Sequence, residues 1–137
     1  MISFREFIVE FQEIKKADLN KLEKYLDKVF ANLGIDVEFT RHFIDRVNDE
    51  RNIKQITFHE LKKLFIDVYN QHGKKLIDFF KARKDYEGLL KDISTDVNTP
   101  FALNYDYKSN QLELVAKTIM RKKNFVPNNS KDVVLKV

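Results

Sequence analysis

At 137 residues, with 43% apolar and 34% charged residues, the chain is long enough for one domain with a substantial core. The lack of cysteine excludes disulfides, a thiolate nucleophile and a zinc–thiolate centre. A formal net charge of +4 permits an anionic partner without requiring one, and no apolar run approaches the ~20 residues that cross a bilayer, so no membrane partner is expected.

Residues 1–10, Met-Ile-Ser-Phe-Arg-Glu-Phe-Ile-Val-Glu, form a short amphipathic segment whose charges, Arg5, Glu6 and Glu10, interrupt any secretory apolar region. Residues 11–17 read as a helix-prone linker. Leu19, Leu22, Leu26, Val29, Phe30 and Leu33 then recur at helical spacing, and Gly34 stands where a C-cap belongs, so a helix is expected over 18–33. Ile35 to Thr40 alternates apolar and polar, the pattern of a half-buried strand. Residues 41–52 are a charged short helix or turn with Phe43, Ile44 and Val47 facing inward. Thr57-Phe-His-Glu60 is a capping box opening a helix with Leu61, Leu64, Phe65 and Val68 on one face. Helical character continues through Leu76-Ile77 and Phe79-Phe80, and is read again from Tyr86 to Leu90.

After Pro100 the period changes to two: Phe101, Leu103 and Tyr105 alternate with Ala102, Asn104 and Asp106. A turn follows at 108–111. Leu112 to Met120 reads as one longer, central strand, and Val133, Leu135 and Val137 mark a last strand. This order predicts an α+β fold, with N-terminal helices packed on one face of a small C-terminal antiparallel sheet.

Two stretches could carry chemistry. In Thr40–Arg51, His42 and Arg46 share a helix face, as do Asp45 and Asp49. The plainer reading is a solvated charged helix with weak local ion pairs. Ala116–Phe125 carries Lys117, Arg121, Lys122 and Lys123 with no acid. On a strand, Lys117, Ile119 and Arg121 would share one face and Thr118, Met120 and Lys122 the other. The plainer reading there is an edge strand guarded by cations. Gly34, Gly73 and Gly88 are isolated, so there is no glycine-rich phosphate loop, and His59 and His72 lack metal-ligand spacing. No metal and no cofactor are expected.

The opening segment resembles the capsid-targeting leader of internal head proteins of T-even-type bacteriophages, which ends in an [Ile/Leu]-x-Glu triplet, here Ile8-Val9-Glu10. The resemblance implies a leader at 1–10 cut after Glu10 by a prohead protease, and a single α+β domain at 11–137. It further implies packaging inside the virion and injection into the host cytoplasm. The body, over about residues 35–125, resembles the RelE/BrnT-like, barnase–EndoU–colicin group of small metal-independent RNases. Thr40-Arg41-His42, Asp45-Arg46 and Arg51 match its first element, and Lys117, Thr118 and Arg121 its cationic sheet.

That likeness implies a RelE-like fold and a nucleic-acid partner, RNA ahead of DNA. His42 would be general base or acid, and Arg46, Lys117 and Arg121 would clamp the phosphate. Arg41, Arg51, Thr118, Lys122 and Lys123 would hold the rest of the strand. The region from about 72 to 98 is longer than in compact members, and no second histidine lies in the sheet region. The alternative is a non-catalytic protein that binds nucleic acid in the head or inhibits a host defence enzyme.

Overall fold

The computed structural model describes residues 13–52, 54–127, 129 and 131–137. The leader at 1–10, with its cleavage triplet, lies outside the described residues.

Helix α1, Lys16–Phe30, buries Leu19, Leu22, Leu26 and Phe30 on one face. A short 3-10 turn, Ala31–Leu33, follows and ends at Gly34 in the left-handed conformation (φ 72°), which glycine adopts without strain. Strand β1 is Ile35–Phe39. Thr40 caps the short α2, Arg41–Arg46, by accepting from the Phe43 amide. The Thr57–Glu60 capping box opens α3, Phe58–Ala82, a single 25-residue helix. Five strands come after it: β2 Tyr86–Asp92, β3 Val97–Asp106, β4 Gln111–Ala116, β5 Met120–Arg121 and β6 Val133–Lys136.

The result is a mixed α+β fold, helices first and then most of a six-stranded sheet in the order β1-β4-β3-β2-β6, with β5 also paired to β3. The pairs β2–β3, β3–β4 and β3–β5 are antiparallel. The expectation of a wholly antiparallel sheet is corrected at both margins, because β1 runs parallel to β4 and β6 parallel to β2. Each marginal strand arrives by a long connection rather than a hairpin, and that is what allows parallel pairing.

One sheet face packs on the helices. Val37, Leu114, Leu103, Phe101 and Leu90 join Leu22, Leu26, Leu61, Phe65 and Val68 in one buried cluster. The Tyr86–Leu90 stretch is strand, not helix. Arg83 closes α3 in the left-handed conformation (φ 53°), and Gly88 lets β2 lie against its neighbours. A Cβ there would meet the Phe101 ring and the Val133 carbonyl at 2.5 Å.

The expected long strand from Leu112 to Met120 is also broken. Phe101 pairs Ala116 and Asn98 pairs Met120, so three residues, 117–119, oppose two, Thr99 and Pro100: a bulge. Pro100 offers its carbonyl to the Lys117 amide at 2.9 Å but has no N–H to return, and a proline inside a sheet belongs at such a break. The extra residue reverses the side-chain parity. Ala116 and Ile119 both enter the core, and Arg121 comes to the helix-facing side opposite Val97 while Lys117 stays on the outer side.

The free edge of β1 is covered by carboxylates from α1. Asp27 Oδ1 accepts from the Val37 amide at 2.7 Å and Glu23 Oε2 from the Phe39 amide at 3.2 Å. Burial, against the Val37 bond and helped by Asp36 and Glu23 nearby, pushes the Asp27 carboxyl up to about 6. A carboxyl held above its unfolded value stabilises the fold fully only at low pH, and that contribution is lost as pH rises from about 4 through 6. Asp27→Asn keeps an acceptor for Val37. We expect it to be about 1 kcal/mol more stable than the parent at pH 7, after allowance for solvent screening, with the gap closing toward pH 4. Urea unfolding across that range checks this; a pH-independent gap would refute it.

Candidate functional site

The bulge and α2 face one another across a cleft of about 570 Å³. It is lined by His42, Arg46, Asp49, Arg51 and Asn52 on one wall and by residues 118–123 on the other. The α2 wall is fixed at its start by Thr40, whose hydroxyl donates to the Lys117 carbonyl at 2.8 Å. It is fixed at its end by Asn52, whose Oδ1 accepts from the Arg121 amide at 2.8 Å and whose Nδ2 donates to the Arg46 carbonyl at 3.3 Å. Ile119 and Met120 supply apolar floor, and the lining includes five cations against one carboxylate, Asp49.

The cations differ in how free they are. Arg46 Nη1 donates to Asp49 Oδ2 at 2.7 Å, and Arg51 Nε to Asp49 Oδ1 at 3.3 Å. Lys122 lies over the Phe125 ring at 5.9 Å, and His42 and Lys123 are exposed. Arg121 is fully committed. Its guanidinium forks onto both Glu60 oxygens at 3.0 and 2.7 Å and also donates to the carbonyls of Lys54, Gln55 and Thr95. That uses all five of its N–H groups. Burial alone would lift the Glu60 carboxyl, but Arg121 and the Thr57 amide outweigh it and hold it below the ordinary carboxylate range.

Of the expected site residues, the fold therefore gathers His42, Arg46, Arg51, Thr118, Lys122 and Lys123 in one cleft. It does not gather Lys117, which sits outside the lining and forms a close ion pair with Glu87 on the outer sheet face. Arg41 is exposed but outside the lining as well. Arg121 lines the cleft as a bracket rather than as a phosphate clamp. Asp49, Asn52, Ile119 and Met120 were not expected there. Of these, only Asp49 carries a sequence signal, its place between two arginines.

No protein-family model, curated protein or solved structure matches the chain.

Arg121 and Glu60 are only 11% and 16% exposed. Arg121→Ala should cost about 3 kcal/mol by leaving Glu60 half-paired in a partly buried position, and Arg121→Lys, which cannot reproduce the fork, about half of that. Denaturant midpoints test this. Unchanged stability in both variants would return Arg121 to the pool of cations open to a ligand.

Proposed function

We propose that the chain is an RNA-cleaving protein with a variant RelE-like body, packaged in a bacteriophage head and injected into the host cytoplasm. The observation that carries the catalytic half is the convergence of His42, Arg46, Arg51, Lys122 and Lys123 on one cleft from segments some seventy residues apart. A charged helix and a guarded edge strand that were merely solvated had no reason to face each other.

The reaction can be drawn with the chain's own groups. The His42 imidazole takes the proton of a ribose 2′-hydroxyl, and that oxygen bonds to the adjacent phosphorus. The P–O5′ bond breaks, and O5′ receives a proton from the imidazolium or from water. The products are a 2′,3′-cyclic phosphate and a 5′-hydroxyl. Arg46, Arg51, Lys122 and Lys123 meet the charge that grows on the phosphoryl oxygens.

Purified protein should cleave RNA at neutral pH in EDTA, leave a strand deoxy-substituted at the cut site intact, and lose ~100-fold or more in rate as His42→Ala. Intact RNA, or equal cleavage by the variant, ends the catalytic reading. One observation favours a non-catalytic binder instead: both oxygens of Asp49 are taken by arginines, so no second group among the lining residues stands ready as a partner to His42 in proton transfer. Binding of RNA without cleavage in the same assay is the result that reading expects.

The packaging half rests on the leader resemblance. Downstream of the triplet, Ile14 is buried and clasped both ways by Asn48, at 3.0 and 2.8 Å. A cut after Glu10 leaves that clasp whole. Incubation with prohead protease should remove ten residues, read by intact mass. An uncut chain removes this half and leaves the cleft untouched.

A further inference from the structure

We propose that Asp49 is a positioning residue that fixes Arg46 and Arg51 as one two-pronged phosphate receptor. The proposal rests on the RNA reading of the cleft. Asp49 does not chemically resemble a phosphate ligand. It is the one carboxylate among the lining residues, and by simple Coulomb attraction and repulsion its charge disfavours an incoming phosphodiester. A carboxylate in a cationic cleft must therefore be explained by what it holds.

What it holds is specific. Oδ2 accepts from Arg46 Nη1 at 2.7 Å, and Oδ1 accepts from both the Arg51 amide at 2.8 Å and Arg51 Nε at 3.3 Å. Asp49 therefore sets the Arg51 backbone as well as its side chain. The need is greatest at Arg51, whose side chain is 75% exposed and lies outside the helix, against 31% for Arg46. A free arginine of that kind loses substantial rotamer entropy on gripping an anion. One tethered at Nε has already lost much of it and still presents both terminal nitrogens. Each guanidinium uses one of its five N–H groups on Asp49, so both keep donors in the planar geometry that suits phosphate oxygens. The arrangement binds a phosphate as a pair or not at all.

A 2′-O-methylated single strand of about a dozen nucleotides, which cannot react through its 2′-oxygen, serves as the probe for the whole chain. Asp49→Asn should weaken binding about threefold to tenfold at ~0.1 M salt and lower the slope of log K against log salt by ~1, matching Arg51→Ala. The double variant should be no weaker than either single one. This direction discriminates, since a role limited to charge makes Asp49→Asn bind more tightly. Arg46→Ala and Arg51→Ala should likewise be less than additive, a measurement that holds even where Asp49→Asn fails to fold. Tighter binding by Asp49→Asn, or additive losses in either cycle, overturns the proposal while leaving the RNA reading standing. A parent chain that retains no strand at low salt overturns both.

Discussion

The cleft exists because Arg121 is tied down. Its guanidinium gathers the α3 cap through Glu60, the approach to α3 through Lys54 and Gln55, and the β2–β3 turn through Thr95. Two separate stretches of backbone and one carboxylate thus converge on one planar group, and the short β5 is held among them although it pairs only with β3 among the described residues. A lysine in that place would supply three donors from a single point and could not span the same partners. Arg121, one of the three cations expected to clamp a phosphate, is therefore spent on holding these segments together.

Charge is divided across the described residues. The cleft gathers its cations at the β5 end. Glu23, Asp27, Asp36 and Glu38 crowd the β1 edge, and Glu113 pairs opposite Asp36. Burial first, then Glu38, Asp36 and Asp106, push the Glu113 carboxyl above its ordinary value. A net charge of +4 conceals this separation. The fields of exposed charges such as these fade within about 10 Å at 0.1 M salt.

Much of the architecture was legible. Helical spacing located α1, Thr57 and Glu60 announced α3, and alternation located β1 and β6. What escaped was set by contacts between distant segments. Tyr86–Leu90 lacks alternation because β2 is buried on both faces around Gly88, and a short apolar run of that kind cannot be told from helix by period. In the site, His42, Arg46 and Arg51 were legible from the α2 segment, as were Thr118, Lys122 and Lys123 from the basic run. An unbroken strand would place Lys117 and Arg121 on one face, and the break between them separates the two. The bulge opposite Pro100 adds a residue and turns Arg121 toward Glu60 while Lys117 remains beside Glu87. A one-residue slip reassigns every following side chain to the other face. The proline that causes it was visible, but its strand partner was not.

Cations on both walls of a cleft repel each other, and such a cleft should splay open unless something neutral holds it shut. Thr40 and Asn52 do so. Each stands at one end of the α2 wall and reaches across to main-chain atoms on either side of the bulge, the Lys117 carbonyl and the Arg121 amide. Asn52 is buried, and its amide group also binds the Arg46 carbonyl, so it bonds both walls at once. These bonds are uncharged and salt does not screen them as it screens ion pairs. The spacing of the two walls is thus set by uncharged bonds between them and not by the cations that line them.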